Sequence, residues 1–466
     1  MDFRVSFESL QKNAIPQYSA FDAFYVSSYQ GMAIHPNLNE LRAIFSRFEL
    51  PYSLVFENIF PRYYYIDDSE DSIFGDNLIA FTSYDLPYLA VHLFQDCKGL
   101  QEVYLPEATL ICGHVFRNCT SLERVYLPKA QQFISNDFEG CTSLKEISLP
   151  EAADLGYDLF ENCTHLKKAI LPSAKELDSF NNCFSLEEVY APLAESVGSF
   201  EKCCSLEYVD FPSARYIGMR AFEDCFRLKS ANFPLAEECC SYAFHNCISL
   251  ETVNIPKITE IEESAFENCE NLQEIDAPYL ETIERRAFKF CKSLERVTSH
   301  RIITIGFEAF YDCFNLEEID ISNLRVINSQ AFYSCSDLQL PPVLPNIEEV
   351  CGGAFYGCDS IVSISLPNAK KIGKSSFSYC RGLEEVDLPL VKWIDRRAFR
   401  DCEKLRKVNT PVVSYIGRYA FDWTSRCVEY NVPDKFDTES FYVGDPDGWD
   451  WWESEKWYRV KPSNLK

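Results

Sequence analysis

Fifteen cysteines stand three residues behind a phenylalanine, from Cys97 behind Phe94 to Cys402 behind Phe399, and their type and regular spacing make them the first candidates for chemistry. Thiolates that bind metal or cycle between redox states must meet at one point from different directions. Stacked repeat units would instead hold them as parallel side chains about 4.8 Å apart. Such a distance falls within the range bridged by disulfides, yet the Cβ vectors would point the same way. The spacing therefore predicts a row of reduced core thiols, cysteine serving as a small hydrophobe. Cys203-Cys204 and Cys239-Cys240 add sulfurs outside the row.

Other chemistry is thinly represented. The six histidines, His35, His92, His114, His165, His245 and His300, recur at no catalytic or metal-ligand spacing. Asp445-Pro-Asp447-Gly448 has the start of a calcium loop, but Lys456 occupies the twelfth position, where a bidentate glutamate belongs. A tight turn is the reading there. No glycine loop cradles phosphate, so no catalytic residue, metal or cofactor is expected and the chain is read as non-enzymatic.

The elements that position the cysteines are repeats. Sixteen phenylalanines from Phe94 to Phe421 recur at about 22 residues, with Cys at plus three in the first fifteen and an apolar residue at plus six, as in Leu100, Leu122 and Leu144. The last unit has Thr424 at the cysteine position. Segments such as Leu122 to Leu127 have strand composition, and Pro128 ends the strand. A unit this short cannot bury its own apolar side, so units must stack into a solenoid with a parallel sheet on one side. Phe180 and Phe200 follow their predecessors by 20 residues, which predicts that the side opposite the sheet is locally thinner in those two units.

Pro212 to Leu228 carries the pattern Pro-x-Ala-x-x-Ile-Gly-x-x-Ala-Phe-x-x-Cys-x-x-Leu, which resembles the BspA-type leucine-rich repeat family over about residues 74 to 427. The resemblance implies an α/β repeat fold, a right-handed leucine-rich-repeat solenoid used for protein binding and adhesion. Residues 1–73 lack the period and are expected to form an N-terminal capping region, with an amphipathic helix over Leu38 to Leu50. Residues 74–427 form the solenoid. Residues 428–466, with Trp449, Trp451, Trp452 and Trp457, are expected to form a C-terminal cap or docking segment.

A net charge of −27, from 71 acidic and 44 basic side chains, argues against nucleic acid and anionic lipid as partners. No membrane-inserted segment is expected. Twenty-one cysteines and no visible secretory signal in MDFRVSFESL suggest a reducing, cytoplasmic location, with a surface or assembly-associated place as the alternative.

The variable positions that could recognise a partner are the outward-facing strand residues. Ten residues after each phenylalanine stand Tyr104, Tyr126 and Tyr190, then Asp210, Asp276 and Asp320, and Tyr208 stands eight after its own. Tyrosine is enriched at protein interfaces. These residues are the candidate protein-binding site, the aspartates steering a basic partner. The expected function is a binding scaffold; the alternative is a structural or adhesion component docked through its aromatic terminal segment.

Overall fold

The computed structural model describes residues 2–6, 22–27, 52–57, 74–425 and 429–435, and the chain divides into two compact units, Met1–Pro234 and Leu235–Lys466. The building block of both is a rung closed by short backbone hydrogen bonds. In the rung of Phe116, the Cys119 N–H donates to the Phe116 carbonyl at 3.0 Å and the Leu122 N–H to the Cys119 carbonyl at 3.0 Å. The chain then enters the strand Arg124–Tyr126, leaves it at Leu127-Pro128, and forms a second strand, Gln132–Phe133. Phe116, Cys119, Leu122, Leu127 and Ala130 are all buried.

Most rungs therefore contribute to two parallel ladders, where the sequence predicts one. In the first unit the front ladder runs Asp2–Ser6, Asp22–Ser27, Tyr52–Glu57, Leu78–Ser83, Glu102–Tyr104, Arg124–Tyr126, and is joined by the sets Glu146–Ser148, Lys168–Ile170, Glu188–Tyr190 and Tyr208–Asp210, Ser230–Asn232. Equivalent residues face one another: Val103 lies opposite Val125, Ile147 opposite Ala169, and Val209 opposite Ala231. The middle residue of most of these strands points into the core and its two neighbours point out, the two-residue alternation of a strand. In the second unit Thr252–Asn254, Glu274–Asp276, Arg296–Thr298 and Glu318–Ile319 form one front set and Ser363–Ser365, Glu385–Asp387, Lys407–Asn409 and Glu429–Asn431 another. The second ladder holds the Ile of the Ile-Gly pairs, as in Tyr216–Ile217 of the first unit and Lys371–Ile372 of the second.

The core is a column of stacked rings. Within the first unit seven consecutive pairs from Phe74–Phe94 to Phe200–Phe222 have centroids 4.9 to 5.6 Å apart. Within the second, eight pairs from Phe244–Phe266 to Phe399–Phe421 lie 5.2 to 5.4 Å apart. Among the described residues the column is first seen at Phe74, although no cysteine stands at position 77, which is Asn77.

The helical part of the expected fold class is not found among the described residues. The turn segments explain why. Most rungs hold two residues at positive φ, two before and two after the ladder phenylalanine, such as His114 (53°) and Asn118 (58°) around Phe116. A left-handed residue every four positions interrupts any helix. It also accounts for the Asn, Asp and Gly so frequent two after the phenylalanine, at Asp96, Asn118, Gly140 and Asn162, since these types tolerate that region best. The helix expected over Leu38 to Leu50 and the segment holding Asp445 to Lys456 and the terminal tryptophans lie outside the described residues.

The 20-residue units differ from the 22-residue ones in backbone path. Their second strands are three residues long, Glu176–Asp178 and Ser196–Gly198, and run almost directly into Phe180 and Phe200. The left-handed residue two before the phenylalanine is missing at Asp178 and Gly198.

Candidate protein-binding face

The cysteine row packs as expected and also does something the sequence does not reveal. Fourteen ladder sulfurs donate a hydrogen bond to the phenylalanine carbonyl of the preceding rung, among them Cys119 to Phe94 at 3.0 Å, Cys141 to Phe116 at 3.1 Å, Cys291 to Phe266 at 3.0 Å and Cys402 to Phe377 at 3.1 Å. That carbonyl already accepts the N–H of its own rung's cysteine, so both its lone pairs are used inside the core. A thiol is small enough for the column and polar enough to satisfy a buried acceptor. Burial pushes the thiols of Cys119, Cys141 and Cys269 well above the ordinary range, so they are poor nucleophiles. In native buffer an alkylating reagent should label Cys112, Cys204 and Cys351, which are only half-buried, and leave the ladder unreacted until denaturant is added. Rapid native labelling of most ladder thiols would contradict the buried row.

Among the described residues no group of three or more His, Cys, Asp and Glu side chains could hold a metal ion, and no helix is long and apolar enough to cross a membrane. His92 and His114 stack ring on ring at 5.1 Å, and His92 Nδ1 contacts the Gln95 side-chain oxygen. One carboxyl stands apart. Asp137 is fully buried directly before Phe138, where the corresponding residue of many rungs is alanine, as at Ala221 and Ala265. Burial raises its pKa to about 7, against hydrogen bonds from the backbone of Val115, Ile134 and Gly113 that pull it down.

The outward strand residues of the first unit gather aromatic side chains on one face. Tyr126, Tyr190 and Tyr208 are 48%, 52% and 53% exposed. Tyr104 is half-buried because its ring stacks on Tyr126, with centroids 4.7 Å apart and planes 6° from parallel. Tyr84 meets the other side of Tyr104 edge-on at 5.8 Å and is itself 56% exposed. It was missed in the sequence because its rung starts at Phe74, which lacks the cysteine; its position, ten after Phe74, was the available signal. Tyr190 is separated from this trio by the rungs of Ser148 and Ile170. The charges beside the tyrosines are engaged with each other: Arg124 with Glu102 at 3.0 Å, Lys168 with Glu188 at 2.7 Å. Exposed pairs of this kind contribute little to stability.

The aspartates differ in their surroundings. Asp210 belongs to the first unit and accepts a hydrogen bond from Asn232 at 2.7 Å. Asp276 and Asp320 belong to the second, where Asp276 is exposed and Asp320 is half-buried. Partial burial would raise the Asp320 pKa, but hydrogen bonds from Ser322 and the nearby His300, at 2.9 Å, hold it below the usual range. Beside Asp276, Arg296 bridges Glu274 and Glu318 at 3.4 and 3.0 Å. The second unit also carries a tyrosine stack on its turns, Tyr311, Tyr333 and Tyr356, with centroids 4.5 and 4.4 Å apart. The tyrosine directly behind three successive ladder phenylalanines was its sequence signal.

Comparison with known proteins places the repeat. No curated protein matches the sequence. The fold is similar to a leucine-rich repeat protein from Bacteroides ovatus, at 25% identity and TM-score 0.48 over 72% of this chain and 83% of that one. It is also similar to a leucine rich cell surface protein from Faecalibacterium prausnitzii, at 18% identity and TM-score 0.29 over 66% and 79%, and to an internalin from Listeria monocytogenes, at 12% identity and TM-score 0.27 over 63% and 81%. The family profile described as BspA type leucine rich repeat region (6 copies) matches residues 87–197, 195–304, 261–383 and 303–428, more than half of the chain, and indicates no catalytic family. The chain belongs to the BspA-type leucine-rich repeat family.

Proposed function

We propose that this chain is a non-enzymatic scaffold that binds a protein partner through the front face of its first unit, in a reducing, cytoplasmic compartment. The observation that carries the reading is the set of exposed tyrosines, Tyr84, Tyr126, Tyr190 and Tyr208 with Tyr104 stacked among them, on a sheet face where Arg124 pairs with Glu102 and Lys168 with Glu188. Tyrosine supplies a large amphipathic contact area at low entropic cost, and hot spots are rich in it. The aspartates act at longer range. Asp276 and the net charge of −27 favour a basic partner, and that contribution falls as salt screens it.

A capture experiment with the full chain tests this. Tyr104, Tyr126 and Tyr190 changed together to serine should weaken binding about a hundredfold or more, from hot-spot losses near 2 kcal/mol each before non-additivity. Asp210, Asp276 and Asp320 changed to asparagine should slow association at low salt and change little at physiological salt. If the serine variant binds as wild type at physiological salt while the asparagine variant does not, the hot spot lies elsewhere.

A further inference from the structure

The outward side chains on the front strands of the first unit carry a pattern that is complementary to its own reverse. Ten after successive ladder phenylalanines stand Tyr104, Tyr126, Ser148, Ile170 and Tyr190, so that two large residues are followed by two smaller ones. Eight after the same phenylalanines stand Glu102, Arg124, Glu146, Lys168 and Glu188, alternating in sign. The register is fixed by the ladder: Glu102 lies opposite Arg124 and Tyr104 opposite Tyr126, then Glu146 opposite Lys168 and Ser148 opposite Ile170. Between Arg124–Tyr126 and Glu146–Ser148 the ladder is interrupted, those two strands belonging to separate sheets.

A two-fold axis lying along the strand direction at that interruption brings a second copy face to face with its rungs in reverse order. The operation keeps the strand direction, so each column meets its own counterpart, and wherever one residue meets another the reverse contact is made as well. Tyr126 then faces Ser148 of the second copy, Tyr104 faces Ile170, and Tyr190 faces Thr82, the residue in register with Tyr104. Every tyrosine meets a smaller side chain. On the charged column Arg124 faces Glu146 and Lys168 faces Glu102. The flanking exposed columns obey the same rule, with Glu123 against Lys145 and Lys129 against Glu151. Both copies carry the interruption at the axis, so its width does not disturb the match.

Neighbouring axes fail. One rung to either side the charges eight after the phenylalanines still match, but Tyr104 then opposes Tyr126, or Tyr126 opposes Tyr190; an axis through a rung sets Arg124 against Arg124 or Glu146 against Glu146. The unpaired charges also lie where this axis needs them. Glu146 and Lys145 are exposed and make no ion pair among the described residues, while Arg124 and Lys168 reach to Glu102 and Glu188, the rungs away from Glu146. The strip from the rung of Ala80 to that of Glu188 is about 24 Å long and about 20 Å wide, roughly 500 Å² in projection. That is below the ~800 Å² per partner of a stable complex, which fits a reversible contact. We propose that the front face of the first unit pairs with the same face of a second copy about this axis, and that a protein partner must displace the second copy. The displacement rests on the function proposed above; the pairing does not.

Sedimentation equilibrium of the full chain from about 1 to about 100 μM, beside charge-reversed chains, decides it. Wild type should pass from monomer to dimer within that range. Arg124→Glu puts a carboxylate opposite Glu146 at two symmetric places, and Glu146→Arg puts a guanidinium opposite Arg124 at the same two, so each variant alone should dimerise at least about tenfold more weakly. An equimolar mixture of the two variants should form a one-to-one heterodimer with near wild-type affinity, because only there does every such contact join opposite signs. Ser148→Trp, at an exposed position, should fill the space over which Tyr126 sits and abolish the dimer with the melting temperature little changed. A chain monomeric at the highest concentration, single variants that dimerise as wild type, or a mixture with no gain over its components would overturn the pairing. A monomeric chain that still captures a protein through Tyr104, Tyr126 and Tyr190 would sink the pairing and leave the proposed function standing. A dimer recovered in the mixture, with capture indifferent to the serine triple variant, would do the reverse.

Discussion

Phe266→Ala should destabilise the second unit by about 3 to 5 kcal/mol, the range for truncating a fully buried ring. The Phe266 ring is fully buried between Phe244 at 5.2 Å and Phe288 at 5.4 Å, so its removal leaves a hole with aromatic walls on both sides. The backbone anchors survive the change: the residue-266 carbonyl still accepts from Cys269 N–H at 3.1 Å and Cys291 Sγ at 3.0 Å. Damage should therefore be local, since each rung contacts mainly its neighbours. Hydrogen exchange should show lost protection around Cys247 to Leu250 and Cys291 to Leu294, with the rungs of Phe377 and Phe399 little changed. Loss of protection throughout, with no partly folded state under any condition, would contradict nearest-neighbour coupling.

Asp137→Asn should stabilise the first unit at pH 8 by up to about 4 kcal/mol and change it little at pH 4. The native carboxyl titrates at about 7 against an ordinary 3.8, and that difference of roughly 3 units is worth about 4 kcal/mol. Because the folded state holds a proton that the unfolded chain releases, stability falls as pH rises from 3.8 to 7 and is flat beyond. Asparagine has the same shape and no charge to desolvate, so the variant lacks this slope. The residue sits in a titrating neighbourhood, with Cys112, His114, Arg117 and Glu139 close by. Comparing wild type and variant at each pH cancels their contributions. Denaturant titrations from pH 4 to pH 8 should show the gap widening; a gap constant in pH would mean the carboxyl is ionised or solvated in the fold.

The repeat was plain in the sequence because phenylalanine, cysteine and leucine occupy core positions where one type fits, and their spacing survives every insertion. Three things were hidden. A two-residue strand such as Tyr216–Ile217 is too short to show alternation, so the second ladder could not be read. Positive φ is a backbone property that many side chains tolerate at a cost, so Arg220 and Tyr242 gave no hint of the turns that exclude a helix. Cysteine read as a hydrophobe because its hydrogen bond depends on the carbonyl of a residue 25 positions earlier, as Cys119 on Phe94. The tyrosine positions were legible except at Tyr84, whereas sequence does not show that Asp210 and Asp320 already have hydrogen-bond partners.

The most direct test of the binding face is a hydrogen-exchange footprint of the full chain with its captured partner. Protection should rise at Glu102–Tyr104, Arg124–Tyr126, Glu188–Tyr190 and Tyr208–Asp210, the strands that hold the tyrosines, and remain unchanged at second-ladder strands of the same rungs such as Leu110–Ile111 and Tyr216–Ile217. Protection confined to the second ladder or to the turns around Tyr333 and Tyr356, with the front strands unaltered, would contradict it.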